Sequence, residues 1–218
     1  MSNELIFFQI GTNDGNDKFR DLVREKKPSL VILVEPICEH EETIRKNYGG
    51  IPNVILIHRA IGYKDNEDLQ LYIPKKPFYT SKHFSLVPMN DWGEKDTLLS
   101  YNCKTITFHK ICEDLNINKI DYLQIDTEGF DTEIIQMIDF NKIKINQIRY
   151  EKWSFNSSEF TKFNAEKADH LGASGMIRVR EKLLGLGYTL EDINDEDGND
   201  ILATLYSESS LSPLSRIS

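Results

Sequence analysis

The sequence predicts a mostly parallel α/β sheet with helices on both faces, closed by an antiparallel C-terminal hairpin. Three observations carry this. Short apolar runs alternate with amphipathic segments over the first two-thirds of the chain, a glycine-rich turn follows the first run, and two strand-like runs flank an acidic turn near the end.

The elements follow in order. Leu5 to Ile10 is apolar enough for a buried strand, and Phe19, Leu22 and Val23 then recur at helical spacing until Lys26-Lys27-Pro28 stops them. Leu30 to Val34 reads as the second strand. Glu39 to Tyr48 has acids early, bases late and Gly49-Gly50 after it, the charge order and stop of a short helix. Val54 to Ile57 is the third strand and Leu69 to Ile73 an extra edge strand. A long segment over 74–101 follows, rich in proline and aromatic residues, and loops of that length are commonly functional. Further on come a helix over Lys110 to Leu115, the strand Tyr122 to Ile125, a helix over Thr132 to Ile138 and the strand Gln147 to Tyr150. Tyr188 to Ile193 and Ile201 to Tyr206 form the hairpin around Asp195 to Asn199. A single domain over 1–206 is expected, with 74–101 and 153–175 as substrate-side loops and a Ser-rich flexible tail over 207–218.

Composition narrows the classes. The 218 residues are 39% hydrophobic, enough for one substantial core. Lys+Arg 26 against Asp+Glu 35 gives a formal net charge of -9, and without a dense basic run nucleic acid is not expected as a partner. The N-terminal apolar run is too short to span a membrane and lacks a basic flank, so neither signal peptide nor membrane association is expected. Cys38, Cys103 and Cys112 show no paired metal spacing, which fits buried, reduced thiols in a cytoplasmic protein. Oligomeric state is not readable.

Chemistry concentrates where strands end. The first strand breaks into Gly11-Thr12-Asn13-Asp14-Gly15, and glycine there permits a sharp turn close to a ligand. The spacing is G-x-x-x-G with Asp14 and Asp17 nearby, acids that repel a pyrophosphate but suit the cationic sulfonium and amino group of S-adenosylmethionine. Glu35, after the second strand, can accept both hydroxyls of a ribose, a demand shared by NAD and S-adenosylmethionine. The plainer alternative is a simple turn with a solvated glutamate. Asp126, Glu128 and Asp131 follow the strand Tyr122 to Ile125 and would surround the same crevice.

These residues resemble the FkbM family of S-adenosylmethionine-dependent methyltransferases. The resemblance is carried by FFQIGTNDG, by Val34-Glu35-Pro36, by Ala60-Ile61-Gly62 and above all by Asp121 to Gly129, DYLQIDTEG; Glu151 and Leu186-Gly187-Tyr188 continue it. It implies a class I methyltransferase, Rossmann-like fold with a seven-stranded sheet whose last strand is antiparallel. It also implies methyl transfer to a hydroxyl, with S-adenosylhomocysteine as product. Carried over by position, the cofactor contacts fall on Gln9, Gly11, Asn13, Gly15, Glu35, Pro36, Ala60, Ile61 and Asp126. Gln9 stands where the family pattern usually has Asp.

Methyl transfer to oxygen needs a positioned acceptor and a base for its proton. Asp126 and Glu128 are candidates for the base; for Asp126 a helix cap is the structural alternative. Glu151, after the next strand, is a candidate acceptor contact, and with Asp126 it offers hard oxygen ligands for Mg²⁺, an alternative that neighbouring Lys152 disfavours. His83, among Phe78, Tyr79, Phe84 and Trp92, is a candidate base or acceptor ligand, a solvated loop histidine being the plainer reading. Trp153, with Phe155, Phe160 and Phe163, offers flat faces for a sugar or a local mini-core. His170, Gly172 and Gly175 are expected to hinge that segment onto the next helix. The expected acceptor is a small molecule, most naturally a sugar or glycan. An NAD-dependent oxidoreductase and a catalytically silent binding module are the alternatives.

Overall fold

The computed structural model describes residues 4–75, 84–86, 98–152, 173–195 and 198–206. In chain order the elements are β1 (Ile6–Ile10), α1 (Lys18–Lys26), β2 (Leu30–Val34), α2 (Glu41–Asn47), β3 (Val54–Ile57), β4 (Ala60–Ile61), β5 (Asp68–Pro74) and β6 (Leu98–Ile106). They continue with α3 (Phe108–Asp114), β7 (Lys119–Ile125), α4 (Asp131–Met137), β8 (Lys144–Glu151), α5 (Ala173–Gly185), β9 (Tyr188–Asp195) and β10 (Gly198–Leu205). A 3-10 turn over Cys38–His40 leads into α2.

Local chemistry sets the helix boundaries. The Asp17 carboxylate accepts from the Arg20 backbone N–H at 2.9 Å, so α1 starts there, and Lys27 in a left-handed conformation ends it. Thr107 caps α3 in the same way, accepting from the Lys110 N–H at 3.1 Å. The end of α4 is closed by a distant side chain. Lys182 of α5 donates from Nζ to the carbonyls of Ile135, Gln136 and Ile138 at 3.0, 2.8 and 3.0 Å, with the Phe140 ring centroid 5.1 Å away.

Seven strands form one sheet in the order β3-β2-β1-β7-β8-β10-β9. All neighbours are parallel except β10, which is antiparallel to both β8 and β9. This is the expected mostly parallel α/β sheet with an antiparallel hairpin, the hairpin strands reaching further toward the turn than the sequence reading placed them. Alternation along β1 divides the core. Phe7 packs with Phe19, Val23, Ile44 and Tyr48 beneath α1 and α2, whereas Phe8 and Ile10 face Phe108, Ile111, Ile134, Ile135, Val179 and Leu183 of α3, α4 and α5.

Three expectations change. Residues 98–101, read as loop, begin β6, which pairs antiparallel with β5 from Pro74↔Leu98 to Asp68↔Lys104 and parallel with β4, making a separate three-stranded sheet. Gly175, expected in a hinge, lies in the first turn of α5. Cys112 is buried, but Cys38 is exposed and Cys103 half-buried, because only Cys112 points into the main core; all three are free. No helix among the described residues is long and apolar enough to cross a membrane. His170, Gly172, the aromatics over 153–163 and the tail over 207–218 lie outside the described residues.

Candidate active site

The strand order reverses at β1, between β2 and β7, and in open α/β sheets ligands bind beyond the carboxyl ends at that point. Here Gly11 leaves β1 with φ +81°, its N–H donating to the Val34 carbonyl at 2.9 Å. A Cβ on Gly11 would stand 1.7 Å from the Asp126 carbonyl oxygen, so no other residue fits without displacing the end of β7. Gly15 also has positive φ, +70°, but it turns away from the crevice. Its missing Cβ leaves room for the Tyr48 ring, 3.0 Å from that position.

Beyond these strand ends lies a cavity. It is lined by Gly11, Asn13, Glu35 and Pro36 after β1 and β2, by Ala60, Ile61, Leu69, Leu71, Phe84 and Leu86, and by Asp126, Thr127 and Glu128 after β7. Seven of the residues expected at the cofactor thus line one cavity: Gly11, Asn13, Glu35, Pro36, Ala60, Ile61 and Asp126. Gln9 and Gly15 do not line it. Gln9 is buried below, its amide donating to Asp17 at 2.5 Å and accepting from the Tyr48 hydroxyl at 3.4 Å, so it ties β1 to the cap of α1.

Glu35 is 4% exposed. Its carboxylate accepts from the Asn13 N–H at 2.6 Å and the Ile37 N–H at 2.8 Å, which binds the turn after β1 to the loop after β2. Burial pushes its pKa up to about 7 against the pull of those two donors. His40 Nδ1 stands 3.8 Å from the same carboxylate, and His58 Nδ1 lies 3.2 Å from the Glu35 carbonyl. Each carboxylate oxygen still has a lone pair for a ligand hydroxyl.

The acids after β7 have different surroundings. Asp131 is fully buried at the start of α4; it accepts from the Thr127 N–H at 2.8 Å, from the Thr127 hydroxyl and from the Glu151 N–H at 3.1 Å. It therefore clamps the end of β7 to the end of β8, and burial raises its pKa. Asp126 borders the crevice. Enclosure by the surrounding protein, then the nearby carboxylates of Glu128, Glu151, Asp131 and Asp200, raise its pKa. Water nonetheless reaches its side chain, so the repulsion among those acids is the firmer of the two causes. Burial, followed by repulsion from Glu151 and Asp131, pushes Glu128 up to about 8. Glu128 also holds φ +53°, a left-handed backbone that a non-glycine residue adopts at a cost.

Lys152 does not neutralise this acid group. It pairs with Asp192 of β9 at 2.7 Å, so it gives no ground for disfavouring a cation near Asp126 and Glu151. Among the described residues, no three histidine, cysteine or carboxylate side chains converge as metal ligands. His83 and Trp153 lie outside the described residues. The sequence reading missed Ile37, Arg59 and Thr127, which line the cavity, and Ser85, whose hydroxyl donates to the Glu128 carbonyl at 2.5 Å. Arg59, adjacent to the Ala60-Ile61 pair, was within reach of the sequence pattern. Ser85 was not, since its partner is 43 positions away.

The family model described as Methyltransferase FkbM domain matches residues 9–190. No curated protein matches the chain. Among solved structures, methyltransferase FkbM from Methylobacillus flagellatus KT aligns at 12% identity and TM-score 0.48, over 92% of this chain and 43% of that one. The O-methyltransferase TomG from Streptomyces achromogenes, involved in tomaymycin synthesis and solved with SAM, aligns at 12% identity and TM-score 0.49, over 93% and 73%. A fibrillarin pre-rRNA processing protein from Methanococcus jannaschii aligns at 10% identity and TM-score 0.45, over 93% and 66%. The chain thus spans under half of the FkbM structure and about two-thirds of the fibrillarin.

Proposed function

The chain belongs to the FkbM methyltransferase family, and from that premise we propose that it binds S-adenosylmethionine in the crevice between β1, β2 and β7 and methylates a hydroxyl of a small molecule, a sugar or glycan. One observation carries the cofactor reading. The backbone of Gly11 packs directly against that of Asp126, so the ends of β1 and β7 meet side by side, and the buried Glu35 carboxylate lines the same cavity. Glu35 would take the ribose hydroxyls and the Asn13 turn the amino acid portion, while Pro36, Ile37, Ala60, Ile61 and Leu71 form the apolar slot for a purine.

The cofactor supplies an electrophilic methyl on a cationic sulfur. The residues around it orient the acceptor and handle its proton. Asp126 and Glu128 lie at the acidic end of the cavity, where a carboxylate both favours a cation and can accept a hydroxyl proton. Their raised pKa values make them stronger bases than an ordinary carboxylate. Glu151, His83 and Trp153 remain proposed acceptor contacts, and segments 74–101 and 153–175 the proposed acceptor side of a single domain over 1–206. A hydroxylated neutral acceptor suits the charge: a formal net charge of -9 opposes a polyanion.

Calorimetric titration tests the reading. S-adenosylhomocysteine should bind and NAD should not. Glu35→Ala should weaken S-adenosylhomocysteine by roughly 1.5–3 kcal/mol, about tenfold to more than a hundredfold, as expected for loss of charged hydrogen bonds. Binding of NAD alone, or unchanged affinity in the variant, would overturn it.

A further inference from the structure

Residues 84–86 touch three parts of the crevice at once. Ser85 is 1% exposed and joined to β5 by two backbone hydrogen bonds, Tyr72 N–H to its carbonyl at 2.8 Å and its own N–H to Tyr72 at 2.9 Å. On either side, Phe84 and Leu86 line the cavity, and Phe84 stands edge-on to Tyr101 of β6, ring centroids 6.0 Å apart. The Tyr101 hydroxyl in turn accepts from the Cys38 N–H at 3.1 Å, just beyond the Glu35-Pro36-Ile37 loop. The remaining link is the Ser85 hydroxyl, which donates to the Glu128 carbonyl at 2.5 Å.

That link falls where the backbone most needs support. Glu128 and Gly129 hold φ +53° and +109° in succession, and a left-handed glutamate persists only when its surroundings fix it. The carbonyl that Ser85 grips belongs to the peptide that sets the direction of the Glu128 side chain. On the other side of the turn, Asp131 fixes Thr127. The turn is therefore pinned before Glu128 by Asp131 of α4 and after it by Ser85, which is bridged to β5.

The geometry points to Ser85 as a positioning residue: its hydroxyl holds Glu128 in the left-handed turn and so fixes the Glu128 carboxyl relative to the cavity wall built by Phe84 and Leu86. This rests on reading the cavity as the S-adenosylmethionine site, with the acidic end near the sulfonium. In that arrangement Ser85 touches neither cofactor nor acceptor. A bound cation favours the ionised form of Glu128, and Ser85 keeps that carboxylate at a set place beside it, so the loss of Ser85 is felt by a cationic ligand and not by a neutral one of the same shape.

The test compares two probes, neutral S-adenosylhomocysteine and an analogue with a protonated amine in place of the methylsulfonium. The parent protein should prefer the cationic analogue. Ser85→Ala should reduce that preference by about tenfold, the loss of one well-placed charged contact, and leave S-adenosylhomocysteine affinity nearly unchanged. Ser85→Thr, which keeps the hydroxyl, should restore the preference. Phe84→Ala serves as the contrast and should weaken both probes together. A preference unchanged in Ser85→Ala, or an equal loss of both probes there, would overturn the positioning role while sparing the cofactor reading. If the parent binds neither probe, the cofactor reading falls and the positioning role with it.

Discussion

At the residue scale, the site separates carboxylates by what surrounds them. Asp131 is spent on three hydrogen bonds within the fold, Glu35 on two with capacity left over, and Asp126 and Glu128 face the cavity. Asp126→Asn preserves size while removing the charge and the base. If Asp126 takes the proton, transfer of a labelled methyl to a panel of monosaccharides and glycans should fall by about 10²–10⁴-fold, with S-adenosylhomocysteine binding and melting little changed. If Glu128 takes it, the rate should climb with pH until its carboxyl is ionised at about 8, and Glu128→Gln should abolish that climb. A destabilised Asp126→Asn protein with normal turnover would reduce Asp126 to a structural role. That Gly11 and Glu35 line one cavity was legible in the sequence because each follows the carboxyl end of a parallel strand, where a crevice opens. Gln9 was not. It sits beside the glycine turn, yet its side chain alternates to the opposite face and bonds with Asp17 and Tyr48.

At the element scale, α4 carries the turn that presents Glu128, and its far end depends on Lys182. Burial lowers the Lys182 pKa, yet three carbonyls receive its ammonium at a helix C-terminus, where a cation is favoured. Lys182→Met keeps the stem and removes the charge. A stability loss of about 1.5–3 kcal/mol is expected in denaturant titration, since the carbonyls lose charged donors. An unchanged midpoint would show that water replaces the ammonium at no cost. Helices and parallel strands were readable because their signals are local periodicities, as in β2, whose four consecutive residues from Val31 to Val34 are wholly buried. The β5–β6 pairing was not, because the strands are separated by 23 residues and β6 buries only Leu98 and Thr105, which leaves no apolar run or clean alternation to read.

At the scale of the whole molecule, the acids of the crevice link stability to pH. Glu35 and Glu128 titrate at about 7 and about 8 in the fold against an ordinary 4.5, and Asp126 and Asp131 are shifted in the same direction. The folded protein therefore retains protons that the unfolded chain has released, and stability declines as pH rises from the ordinary carboxylate range through about 8. Melting temperature should be higher near pH 6 than near pH 9, by several degrees at about this chain length. Glu128→Gln should flatten the upper part of that decline and raise the melting temperature at alkaline pH. A flat profile in the parent protein would show that these acids ionise freely. The overall architecture was legible because strand alternation and hairpin restrict the topologies available. The joining of the two sheets through Ser85 was not, because it depends on contacts between segments with no shared periodicity.

The position of β10 bears on how the protein is made. It comes last among the described strands, yet it is inserted between β8 and β9, and it brings Asp200 opposite Glu151 and into an ion pair with Arg149 of β8. A chain that ends after β9 therefore has a bare β8 edge. The sheet is completed only when β10 enters, so a chain arrested before residue 205 presents an edge open to another nascent chain.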